Sequence, residues 1–210
     1  IVVFYLVYII AIRPVSEGPG RGLLRVVISA VIATGFVGIA YLWTLNSVWS
    51  INPQLWAERY ADRPLFNIAP PEKQFWPRLA HNLIGSVAVA GLWLAVTGRV
   101  LRQRMAVSDD WAARTVRGGL LIALVFTVLQ ATDGVALLLH VIPEARTAML
   151  TPTSVHSIGW WFGIVCAGVA MVTMAIGVMR PRSGKWPWAS LGLIMLTLAG
   201  MSMGREHLRA

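Results

Sequence analysis

The sequence predicts an all-α integral membrane protein, a helical bundle of about six transmembrane helices with the first one truncated at the N-terminus. Three observations carry this. Of 210 residues, 57% are apolar. Only 13% are charged, against roughly 25% in a soluble domain. Several apolar runs approach or exceed the ~20 residues that cross ~30 Å of hydrocarbon at 1.5 Å per residue. Lipid offers no partners to a bare backbone, so such runs must close their hydrogen bonds internally, as helices.

The first span is a remnant, Ile1 to Ile12, stopped by Arg13 and Pro14. The chain opens at Ile1 in mid-run, with no basic leader before it, so the numbering is read as starting inside a helix with residues missing upstream. Gly18, Pro19 and Gly20 read as a turn. The second span runs from about Leu24 to Asn46, and the third from about Leu79 to Val100, with Pro77 suited to a first helical turn. The fourth, Gly118 to Ile142, is closed by Pro143; the fifth, Ser154 to Met179, by Pro181; the sixth covers Trp188 to Met203. No repeat or low-complexity tract interrupts them, and residues 1–210 read as a single membrane domain.

The net charge of +9 raises the question of nucleic acid. No basic patch with interleaved aromatics supports it, and none is expected as a partner. The cations sit in short connections between spans. Arg13, Arg21, Arg25, Arg99, Arg102, Arg104, Arg114, Arg117, Arg180, Arg182 and Lys185 fall on one side; Arg59, Arg63, Lys73, Arg78, Arg146, Arg205 and Arg209 fall on the other. The richer side is assigned to the cytoplasm, which makes the protein a multi-pass component of the inner, cytoplasmic membrane. An aromatic-rich loop over residues 47–77 then faces outward. It holds Trp49, Trp56, Tyr60, Phe66, Phe75 and Trp76, which read as an ordinary aromatic belt at the headgroup layer, with a lid over an outer site as the alternative. Its stretch Asn52 to Ala61 suits a short amphipathic helix lying on the membrane.

The lone Cys166 excludes an internal disulfide, a CxxC zinc site and covalent c-type haem attachment; it reads as a small buried apolar residue. No HExxH occurs. What remains is four histidines, all placed by this topology near the outer face: His81, His140, His156 and His207. Neutral imidazole is a strong axial ligand to haem iron, and helix bundles hold haem between facing helices. The four are candidate ligands of haem iron, for one or two haems b. Gly85 and Gly91 near His81, and Gly159 near His156, offer places where a flat macrocycle can approach a backbone. Met201 and Met203 are conceivable sixth ligands, with core packing the better reading.

Asp133 is the only acid inside a span, and an intramembrane carboxylate is a functional candidate by default. Gln130, Asp133 and His140 lie within about 80° of one another on a helix. This polar stripe suits an interhelical hydrogen bond, a polar patch beside a haem, or a quinone site lined by Asp133 and Gln130, in which the Asp133 carboxylate takes up a quinol proton.

The run Trp76-Pro77-Arg78-Leu79-Ala80-His81 followed by Gly85 and Gly91, the segment Gln130, Gly134 and His140 to Pro143, and the ending Gly204 to Arg209 together resemble membrane b-type cytochrome subunits of the cytochrome bd quinol oxidase subunit I group and its short relatives. The resemblance covers about half of the chain. It implies histidine-ligated haem near the outer face, quinol as electron donor, and partnership in a respiratory-type complex with a c-type cytochrome. The oxidase's characteristic quinol-loop motifs are absent and the chain is too short for the full subunit, so electron transfer is expected rather than oxygen reduction. The expected function is a haem b membrane electron-transfer subunit between quinol and an outer-facing redox partner. A non-catalytic anchor of a larger complex and a small permease are the alternatives.

Overall fold

The computed structural model describes residues 19–49, 75–140, 143–152 and 154–206. Every regular element among them is an α-helix. Five are long and apolar enough to cross a membrane, with mean hydropathies of 2.1, 1.7, 2.0, 2.2 and 1.2 in chain order. The remnant span Ile1 to Ile12, which would make six, lies outside the described residues, as do the proposed surface helix Asn52 to Ala61 and most of the aromatic loop.

The chain groups into two compact units, Ile1–Pro71 and Glu72–Ala210. The first contains α1, Pro19–Trp49. Pro19 and Gly20 are not in a turn, as expected, but open this helix. Proline is favoured at a first helical position because its φ is preset and that N–H has no intrahelical partner.

The second unit holds α2 (Phe75–Gln103), α3 (Asp109–His140), a short α4 (Pro143–Leu150), α5 (Val155–Met179) and α6 (Lys185–Glu206). Both α2 and α3 extend past the apolar runs into arginine-rich sequence. Arg102 stays on the last turn of α2 because it reaches Asp109 at the head of α3, with Nε donating to Oδ1 at 2.7 Å and Nη2 to Oδ2 at 3.0 Å. The turn between them closes by a Schellman motif: Ala106 N–H bonds Leu101 O and Met105 N–H bonds Arg102 O, each at 3.0 Å. Met105 takes the left-handed position, φ 53°. Ser108 accepts from the Trp111 N–H, and Asp109 and Asp110 place negative charge on the first turn of α3. Pro143, expected only to close a span, instead begins α4. Ser154 caps α5 in a capping box with Ser157.

Lipid tails are as apolar as leucine, so close packing must hold helices together here. The contacts of α2 and α3 run in opposite order along the two helices: Gly98 meets Thr115, Gly91 meets Gly119 and Ala123, and Gly85 meets Gln130. The pair is therefore antiparallel. A Cβ on Gly119 would lie 2.5 Å from Gly91 O and 2.6 Å from Ala95 N; one on Gly91 would lie 2.8 Å from Gly119 O. The backbones touch, and small residues four apart on each helix (Gly91 and Ala95, Gly119 and Ala123) make the approach possible. The same arrangement joins α5 to α6, where a Cβ on Gly200 would lie 2.5 Å from Gly159 O and 2.8 Å from the Gly163 backbone. Thr173 and Ser190 add an interhelical hydroxyl pair at 2.9 Å, with Ser190 fully buried. Leu92, Ala95, Val116, Leu120, Ala123, Ala170 and Met174 form the core where α2, α3 and α5 meet. Leu129, Val135, Val165 and Val172 point away from it, the inverse of a soluble bundle and the outer surface lipid requires.

Candidate functional site

The antiparallel order sorts the second unit by end. One end gathers Arg99, Arg102, Arg114, Arg117, Arg180, Arg182 and Lys185, near the α2–α3 and α5–α6 turns. The other holds the start of α2, the end of α3, the start of α5 and the end of α6. His81 is in the second turn of α2, His140 is the last residue of α3, and His156 is the second residue of α5. These three helical positions thus share the end opposite the arginines. The side chains of His140 and His156, and all of His207, lie outside the described residues.

His81 is the described histidine, and the fold brings it together with Gln130 and Asp133 of the polar stripe on α3. Its Nδ1 is 3.1 Å from Asp133 Oδ2 and its Nε2 is 3.3 Å from Gln130 Nε2. The antiparallel register of α2 and α3 produces the cluster. Gln130 and Asp133 are three residues apart on one face of α3, so both reach the same imidazole. A carboxylate only accepts, so Nδ1 carries the hydrogen and donates to Asp133. Nε2 then keeps its lone pair and accepts from the Gln130 amide. The His81 side chain is 34% exposed and Asp133 17%, so the pair sits in the flank of the helix pair, half-sheltered.

Gly85 has a definite part in this. A Cβ there would lie 2.5 Å from Gln130 Nε2 and 3.1 Å from its Cδ. The glycine leaves a notch one turn after His81, and the Gln130 amide fills it. Gly134 leaves a second opening, with His81 Cε1 3.6 Å from where its Cβ would be.

Three glycines expected to admit a macrocycle do something else. Gly91 admits the backbone of α3, Gly85 the Gln130 amide, and Gly159 the Met203 side chain, whose Cβ is 2.9 Å from a Cβ built there. Met203 covers Gly159 in that contact but is itself 42% exposed, so it is not the core residue expected. Trp160 and Trp161 stack edge to face at 5.2 Å, and Trp161 Nε1 donates to Leu150 O at 3.2 Å, tying α5 to α4. Cys166 is buried and unpaired by disulfide. Among the described residues, no three His, Cys, Asp or Glu side chains converge as a metal cluster. An interhelical hydrogen bond to Asp133 was expected, but that His81 is its partner was beyond sequence reasoning. The signal available was that both residues sit at a similar depth on neighbouring spans.

The residues at hand are compatible with a haem b. A ligand histidine needs one nitrogen for iron and a partner on the other to fix its tautomer. Asp133 on Nδ1 supplies that partner, and Nε2 is the nitrogen left with a lone pair. Access to Nε2 requires the Gln130 amide to swing out of the Gly85 notch.

The described residues define a helical, multi-pass membrane protein with a His–Asp–Gln cluster between two of its helices. Comparison with protein families, with characterised proteins and with solved structures finds no match to this chain. A functional reading therefore rests on its own residues.

Proposed function

We propose that the chain is a haem b-containing membrane electron-transfer subunit, passing electrons between quinol and an outer-facing redox partner such as a c-type cytochrome. The observation that supports it is the His81–Asp133 hydrogen bond at 3.1 Å, which leaves Nε2 as the lone-pair nitrogen facing the Gln130 amide. Haem, when bound, supplies a one-electron carrier. The chain's residues do the rest. His81 offers Nε2, with His140, His156 and His207 as the other candidate ligands. Asp133 holds the His81 ring through Nδ1 and fixes its tautomer. Gln130 guards Nε2 from the notch over Gly85. The apolar flanks of α2 and α3 limit water around the cluster.

A second reading is favoured by the same amide. A quinol hydroxyl in the place of the Gln130 amide would donate to Nε2, and Asp133 would stabilise the imidazolium formed. The two uses of Nε2 exclude one another on a single His81. In the first reading quinol deprotonation falls to the free Oδ1 of Asp133. In both, quinol protons leave on the side opposite the arginines, and the haem arrangement is one-sided, because the described spans carry no histidine at the arginine end.

A redox titration of Asp133→Asn in the purified full chain tests this. The variant keeps the size and an acceptor oxygen but loses the charge that favours oxidised iron. A tenfold loss of preference for the oxidised state raises the midpoint potential by about 60 mV, with haem content retained and quinol-driven reduction slowed. Unaltered potential and unaltered reduction would show that Asp133 is only structural.

A further inference from the structure

The arginine end of the second unit carries a feature that electron transfer does not use. An open cleft of about 430 Å³ lies between the first turns of α3 and the α5–α6 turn. Arg114, Arg117, Arg180 and Arg182 line it, with Asp110 the one acid. Asp110 is already committed to Arg182, Oδ1 to Nη2 at 3.1 Å. The Arg114, Arg117 and Arg180 side chains make no ion pair or hydrogen bond among the described residues. Three guanidiniums therefore face one cleft with their donors unspent. Its wall is fixed, because Arg102 donates to Arg182 O at 3.0 Å while gripping Asp109.

Guanidinium donors are arranged in a fork that matches phosphate oxygens. What lies next to the cleft decides the kind of phosphate. On α3, the face of Arg114 and Arg117 continues into Leu121, Val125 and Val128, all within about 80° of Arg117. These three are exposed, at 48%, 46% and 47%. On α5, Met179 at the cleft is followed down the helix by exposed Val172 and Val165, which lie within about 40° of it. The two helices pack on each other, so the charged cleft caps two adjoining apolar stripes that run into the membrane. A soluble phosphate has no use for the stripes. An amphiphile with an anionic phosphate head and acyl tails matches both parts.

We propose that this cleft is a binding site for an anionic glycerophospholipid, its phosphodiester held by Arg114, Arg117 and Arg180 and its acyl chains lying along the exposed stripes of α3 and α5. By the charge distribution of the loops this is the cytoplasmic leaflet, the leaflet in which basic pockets between spans take anionic headgroups.

The test uses the full chain in detergent, with native mass spectrometry to count retained lipid. Wild-type protein is offered dioleoyl phosphatidylglycerol and dioleoyl phosphatidylcholine in equal amounts. Preferential retention of phosphatidylglycerol is expected, and equal retention would overturn the proposal without any variant being needed. Each of Arg114→Gln, Arg117→Gln and Arg180→Gln is expected to weaken that retention roughly fivefold, as one cation near an anionic head contributes. Arg104→Gln, outside the cleft on the same side, is expected to leave it unchanged. Equal losses in all four variants would reduce the effect to net charge and refute a built site. Displacement of the lipid by equimolar inorganic phosphate would show that the anion alone is recognised, and would refute the lipid assignment.

Discussion

Two adjacent glycines on α3 should respond to the same substitution with opposite sign. Gly119→Ala places a methyl 2.5 Å from Gly91 O and 2.6 Å from Ala95 N, and both atoms are backbone. Carbon needs at least ~3.2 Å from either, so α2 and α3 must separate by several tenths of an ångström along their closest contact. Overpacking of this kind costs about 1–3 kcal/mol. The gain in helix propensity from Gly to Ala, about 1 kcal/mol, offsets part of it. Gly118→Ala meets nothing within 4 Å, so it keeps the gain without the clash. Thermal unfolding of the full chain in detergent, followed by far-ultraviolet circular dichroism, should rank Gly118→Ala at or above wild type and Gly119→Ala below it by a few degrees. Gly119→Ala as stable as Gly118→Ala would refute the backbone-to-backbone packing of α2 on α3.

Further outcomes follow from the turn geometry and the charge distribution. Met105→Gly relieves a left-handed conformation in the α2–α3 Schellman turn and should stabilise the fold by about 1 kcal/mol, read as a rise in the same melting temperature. In a Cys166→Ser background, a cysteine at position 62 should react with an impermeant maleimide added from outside intact cells and one at position 109 should not; the reverse pattern would overturn the assigned orientation.

The spans were legible because crossing hydrocarbon demands long apolar helices, and α2, α3, α5 and α6 cover the runs that predicted them. Their ends were less so. Arg102 and Asp109 prolong helices into charged sequence by pairing with each other across a turn, a contact that hydropathy does not encode. Pro19 and Pro143 were read as breakers although each begins a helix, since proline ends one helix and opens another with the same residue. At the site, helical periodicity puts Gln130 and Asp133 on one face of α3, and both reach His81, while the side chain of His140, the third member of that stripe, lies outside the described residues. His81 lies 52 residues before Asp133, and only the α2–α3 register joins them. That register is set by the Gly91–Gly119 contact, two glycines whose sequence context does not separate a helix seam from a cofactor bed.

A pyridine haemochrome spectrum of the purified full chain tests the central claim most directly, with His81→Ala, His140→Ala, His156→Ala and His207→Ala beside it. A b-type signal equivalent to one or two haems per chain is predicted for the wild type, and the loss of one haem in His81→Ala. A wild-type protein purified without haem, or unchanged haem content in all four variants, would contradict the account.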